Sequence, residues 1–287
     1  LLPQVARPDQ LGSVSSRGFA LGYLGGGVVF ALCVGMTLQP GWFGLTDATQ
    51  AVSLSFLITG LWWLLFSLPL MRRVVEHGPV SRPQVGDAMW ASLGQWRASW
   101  HHVRAEPRVL TFLIAYWLYI DGVDTIIRMA VDYGLSIGLP ADGLILALLI
   151  VQFVGFPATL LYGKLAGRIG MGRAIFAGLA AYVLILLWAM RMDSALEFYL
   201  LAVGVGLVQG GVQAQSRAYF ARLTPPGREG EFFAFYNMLG KFAALFGPVW
   251  VGALTWAVGD HRLGLLAVLP QFVGGAWLLW RMERLGA

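Results

Sequence analysis

Cysteine and charge are both scarce in this 287-residue chain: Cys33 stands alone, and Asp, Glu, Lys and Arg make up only 12% of the residues. A lone cysteine excludes an intrachain disulfide framework. Of the four histidines, only His101 and His102 are neighbours, and adjacent side chains on a helix diverge by about 100°, a poor chelate. No metal site and no cofactor are therefore expected. No Ser/His/Asp arrangement and no phosphate-binding loop occurs, so the sequence gives no support to an enzyme. Soluble domains carry about 25% charged residues, and a chain this poor in charge cannot cover a water-facing surface. Residues 1–16 are polar and mixed and do not read as a secretory signal.

What is abundant is apolar. Hydrophobic residues make up 57% of the chain, with 12 Trp and 17 Phe, and the mean hydropathy is +0.68. The expected solvent is lipid. Eight runs, near 17–38, 46–71, 109–132, 141–163, 173–191, 195–218, 232–256 and 263–281, approach the roughly 20 residues that a helix needs to cross a bilayer. They are continuous and lack period-two alternation, which predicts helices rather than a barrel. The expected fold class is an all-α membrane protein with eight transmembrane helices.

Basic residues set the orientation. With residues 1–16 on the inner side, all of the 20 Lys and Arg except Arg128, Arg191 and Arg262 fall on that side. This asymmetry predicts a multi-pass protein with both ends of the chain cytoplasmic, as in a bacterial cytoplasmic membrane. The net charge of +5 then reflects topology, and no nucleic-acid partner is expected. The one long connection, 72–107, contains Pro79, Pro83 and Pro107. Within it Trp90, Leu93, Trp96, Trp100 and Val103 recur at roughly helical spacing. That pattern fits an amphipathic helix on the inner membrane surface and equally a linker helix packed on the bundle. The predicted organisation is 1–71 with two spans, 72–107 as a cytoplasmic linker, and 108–287 with six spans.

The third span carries the most informative polar residues. Asp121, Asp124 and Arg128 are spaced three and four apart, so they share one helix face. A charged group at the bilayer centre costs roughly 2.5–3.5 kcal/mol on insertion scales. These groups must therefore face protein or a water-filled cavity, and Arg128 is placed to neutralise Asp124. A carboxylate at that depth suits a proton or cation carrier; the bland reading is an ion pair that fixes helix packing. Gln152, Gln209, Gln213 and Asn237 add polar side chains in other spans. Each could orient a polar solute or simply bond a neighbouring helix. Gly18, Gly22 and Gly26, and again Gly206 and Gly210, make small-xxx-small steps that predict close helix packing.

Between the fourth and fifth spans the chain reads Gly163-Lys164-Leu165-Ala166-Gly167-Arg168-Ile169-Gly170-Met171-Gly172-Arg173. This resembles the G-x-L-A-D-R-x-G-R-[KR] loop of the major facilitator superfamily, with Gly167 in place of Asp. Further stretches resemble the superfamily's vacuole-effluxer-like branch: Gly18 to Gly26, Phe112 to Val123, Gln152 to Pro157, Gly206 to Gly211 and Glu231 to Phe233. The likeness covers nearly the whole chain. It implies the last two helices of an N-terminal half, a central linker and a complete six-helix C-terminal half, with four earlier helices absent from this sequence. It also implies a secondary transporter of a small polar solute, amino acids by family likeness, working by alternating access and with protons as a candidate coupling ion. Asp121, Asp124, Arg128, Gln152, Gln209, Gln213 and Asn237 are the expected solute or coupling residues. Gly163, Lys164, Arg168, Gly170 and Arg173 are the expected gating loop. The rival reading is a membrane sensor or scaffold that keeps the fold without transport, for which the missing Asp at Gly167 speaks.

Overall fold

The computed structural model describes residues 2–73, 96, 97, 99–136 and 138–284. Its helices are α1 (Leu2–Val5), α2 (Leu11–Leu38), α3 (Ala48–Arg73), α4 (99–105), α5 (Pro107–Ser136), α6 (Ala141–Ile169), α7 (Met171–Ala189), α8 (Ala195–Leu223), α9 (Glu229–Val258), α10 (His261–Gly264) and α11 (Leu269–Arg284). Short 3-10 turns lie at Pro40–Phe43 and Leu265–Val268. Eight helical segments are long and apolar enough to cross a membrane; α10, the second 3-10 turn and α11 together supply the last, Arg262–Arg284. These are the eight spans expected from hydropathy, and no strand occurs among the described residues. The 30 residues of α5 reach about 45 Å at 1.5 Å per residue, longer than the hydrocarbon layer.

The chain forms two compact units, Leu1–Tyr23 with Ala98–Ala287, and Leu24–Arg97. The smaller unit holds the second part of α2 and α3, where the Trp62 and Phe66 rings meet at a tilt, 4.6 Å between centroids. Phe56, Trp63, Leu64, Leu65 and Phe66 of α3 are exposed, as expected where lipid is the solvent. The larger unit has a continuous core. Tyr116 of α5 stacks on Tyr236 of α9 at 4.2 Å, and Tyr236 on Phe220 of α8 at 4.9 Å. Tyr182 of α7 stacks on Phe272 of α11 at 5.5 Å.

Glycine makes this packing possible. A Cβ on Gly206 of α8 would lie 3.2 Å from the Val151 carbonyl of α6, and one on Gly211 would enter the Tyr162 ring. Tyr162 in turn donates to the Ala174 carbonyl at 2.5 Å, tying α6 to α7. The small-residue step of α8 thus packs closely, as expected. Gly18 and Gly22 do not: a Cβ on either meets nothing within 4 Å.

One connection differs from the sequence reading, and a second selects between its two alternatives. Residues 163–169 continue α6 as helix, and the link to α7 is Gly170 alone, at φ +92°. Lys164, Leu165, Ala166 and Arg168 are good helix formers, so the helix runs past the membrane core until a residue free to take a positive φ ends it. In the 72–107 connection, Trp90 and Leu93 lie outside the described residues. Its final part, α4, is packed: Val103 is fully buried, Trp100 meets the Phe235 ring at 5.9 Å, and His102 Nδ1 lies 2.8 Å from Glu231 Oε1.

Gly211→Val should therefore lower stability by about 1–3 kcal/mol, the usual cost of overpacking. Gly252→Ala, at a helical site where a Cβ meets nothing, should leave stability unchanged or slightly raised. Thermal unfolding of the detergent-purified protein reads both. Equal effects would contradict the packing described.

Candidate functional site

Asp121 is buried, with 4% of its surface exposed, at the middle of α5. An ionised carboxylate only accepts hydrogen bonds, and lipid supplies no donors. Two helices supply them instead. The Gly247 N–H of α9 donates to Asp121 Oδ1 at 3.1 Å, and the Gln271 side-chain amide of α11 donates to Oδ2 at 2.7 Å. Glycine is required at 247, because a Cβ there would run into Thr125 Oγ1 of α5. Pro248 follows within the helix and lacks an N–H, so the α9 ladder loses its next bond, one residue beyond the Gly247 amide. Gln271 is 8% exposed and lies near the middle of the last span.

The neighbouring charges are arranged differently. Asp124 is half-buried and Arg128 exposed. They form no ion pair within 4 Å; the ion pairs among the described residues are His102–Glu231 and Arg262–Asp193. Spacing puts Asp124 and Arg128 on one face, but the burial of that face falls off toward Arg128.

A second polar place lies between α2, α6 and α8. Gly18, Phe19, Gly22 and Tyr23 of α2, Gln152 of α6 and Arg217 of α8 line an open recess of about 370 Å³. Its walls are held by polar contacts within the same unit. Ser15 donates to the Ala214 carbonyl at 2.7 Å, and the Gln215 amide donates to Ser16 Oγ at 2.9 Å. Tyr119 Oη of α5 and Ser216 Oγ lie 2.6 Å apart. Tyr23 reaches α6 and α8 because Gly155 and Gly210 leave room for its ring.

The expected site residues thus divide. Asp121 faces α9 and α11, whereas Gln152 faces the recess. Gln209 and Gln213 of α8 are half-buried, and Asn237 is exposed. Gln209 Oε1 and Tyr182 Oη are buried without a hydrogen-bond partner among the described residues, and such groups call for a polar companion. Gly163 is buried against Ser16, while Lys164, Arg168, Gly170 and Arg173 are exposed at the junction of α6 and α7. Sequence reasoning missed Gln271, whose signal was a lone amide after Pro270 in an apolar span. It also counted Arg217 as an inner-side topology residue, although it lines the same recess as mid-span Gln152.

The profile of the family described as vacuole effluxer Atg22 like matches residues 6–285. The uncharacterized MFS-type transporter YxiO of Bacillus subtilis (strain 168) is 34% identical over 280 residues, covering 97% of this chain and 65% of that protein. Autophagy-related protein 22 of Coccidioides immitis (strain RS) is 29% identical, covering 94% of this chain and 49% of its own length. The same-named protein of Cryptococcus neoformans (strain JEC21) is 29% identical, with 91% and 48% covered. The chain therefore spans between about half and two thirds of the length of these relatives.

If Asp121 and Gln271 bond as described, a double-mutant cycle with Asp121→Leu and Gln271→Leu should give a coupling energy of about 0.6–1.7 kcal/mol, the span of interhelical hydrogen bonds in membranes. Each single variant leaves a buried polar partner behind, so the double variant should be less damaged than the sum. Strict additivity in unfolding would contradict the contact.

Proposed function

Because the chain belongs to the vacuole effluxer Atg22-like family, we propose that it acts in a secondary transporter that moves a small polar solute by alternating access. It is a multi-pass integral membrane protein with eight membrane-spanning segments. The observation that carries the proposal is the recess of Gln152, Tyr23 and Arg217. Polar side chains from three helices line an open space at membrane depth, where a purely structural bundle would bury apolar groups. Gln209 and Gln213 continue the polar face of α8, and Asn237 offers a further amide on α9. Solute sites at the midplane between helix groups are the general pattern of such transporters.

The organisation we put forward is 1–71 as the end of one helical half, 72–107 as a linker and 108–287 as the other half. Both chain ends face the cytoplasm in this scheme, on the strength of the basic residues at the ends of α3, α6, α8 and α11. Amino acids are the favoured solutes, being small, polar and suited to amides and a guanidinium. Asp121 is the coupling carboxylate, with protons as its ion, and Asp124 and Arg128 set the field around it. The basic junction of Lys164, Arg168 and Arg173 about Gly170 is a gate, since one positive-φ residue joins two long helices there.

Full-length protein reconstituted in proteoliposomes should exchange a labelled amino acid against the same unlabelled one, saturably. Arg168→Ala should slow that exchange severalfold and leave equilibrium binding unchanged, because a motion is lost rather than a contact. A folded protein that binds solutes and exchanges none would favour the sensor or scaffold reading, for which Gly167 in place of the superfamily Asp speaks.

A further inference from the structure

Resting on the transporter reading, we infer that Arg217 is the anion-binding group of the solute recess, and that the solute presents an anionic oxygen group to it. The depth of the side chain comes first. α8 spans Ala195–Leu223, and Arg217 lies eight residues beyond its midpoint, or about 12 Å toward the inner end. Helical side chains lean toward the helix N-terminus, which brings a long guanidinium back by about 5 Å or more. Its head therefore lies inside the hydrocarbon half-thickness of about 15 Å. The recess supports this depth independently, because Arg217 lines it together with Gln152, three residues from the midpoint of α6.

The charge balance comes next. Arg217 is half-buried and forms no ion pair and no side-chain hydrogen bond among the described residues. No Asp or Glu lines the recess. Gln152 and Tyr23 line the recess with it, the Tyr116 and Tyr236 hydroxyls lie within electrostatic reach of it, and the Phe19 ring supplies an apolar wall. A guanidinium is always charged and presents a planar fork of donors that matches a carboxylate or phosphate. Charged side chains at this depth carry a cost that proteins accept chiefly along solute and ion pathways. A cationic solute would be repelled here, and a neutral one would leave the charge uncompensated. The backbone around the site gives room: Gly18 and Gly22 present no side chain to the recess, and a Cβ on either would stand in open space. The recess volume of about 370 Å³ suits a small solute.

The test uses matched probes with the full-length protein: L-alanine against L-alaninamide, lactate against lactamide, and glycerol 3-phosphate against glycerol. Binding is read by thermal stabilisation in detergent, and exchange in proteoliposomes. At least one member bearing a carboxylate or phosphate should bind about tenfold or more tightly than its counterpart without that group, in line with a charged hydrogen-bonded contact; the lactate and glycerol 3-phosphate pairs separate this from repulsion of the cationic L-alaninamide. Arg217→Gln should abolish that preference, and Arg217→Lys should retain part of it, with unfolding temperature as the check that both variants fold. The assignment is overturned if the members without a carboxylate or phosphate bind equally well, if none of the members bearing one binds, or if Arg217→Gln keeps the preference. Binding with the predicted preference but no exchange of any member would overturn the transporter reading and leave Arg217 as an anion-binding group.

Discussion

A carboxylate in a lipid-facing bundle must find its hydrogen-bond donors inside the protein, and the arrangement of α5, α9 and α11 follows from that demand on Asp121. One donor is backbone, the Gly247 N–H, and the other is side chain, the Gln271 amide. The backbone donor needs a close approach, which glycine at 247 allows and a Cβ against Thr125 would prevent. It also sits where Pro248 interrupts α9. Gly122 and Gly275 serve the same approach on the α11 side, where a Cβ would press on Phe272 and Tyr119.

This contact differs in its two protonation states. As a carboxylate, Asp121 accepts from both helices. As an acid it has one O–H to donate, and an oxygen that carries the proton no longer serves both neighbours as before. Gln271 can turn its amide and accept through Oε1, which is without a partner among the described residues. The Gly247 backbone cannot turn. A proton on Asp121 thereby bears unequally on α9 and α11, which is the physical basis for proposing it as the coupling group. The recess proposed for the solute lies elsewhere, between α2, α6 and α8. The two places meet through α5 and α8, where Tyr119 and Ser216 bond at 2.6 Å, two residues from Asp121 and one from Arg217.

The membrane spans were legible because hydropathy and length act locally along the chain. Their ends were less so. The span read as 141–163 is a helix to Ile169, since helix propensity continues after the apolar run stops. Asp121 was legible as an anomaly in an apolar stretch, but its partners were not. Gly247 contributes a backbone group, which leaves no side-chain signature, and Gln271 is one amide 150 residues away in sequence. The four-residue spacing of Asp124 and Arg128 suggested a pair, yet spacing fixes only a shared face, and the two side chains differ in burial. Arg217 was hidden by the inside-positive charge rule, which sorts arginines by the position of Cα and not by where a long side chain ends.

The central claim is that Asp121 couples a proton to the motion of the helices it ties. Asp121→Asn keeps the size of the side chain and can satisfy Gly247 through its carbonyl, with Gln271 turned to accept, but it cannot titrate. In proteoliposomes of the full-length protein, solute exchange at equal pH should persist in this variant while accumulation driven by an imposed pH gradient disappears. Gradient-driven accumulation at the wild-type level in Asp121→Asn would contradict the account.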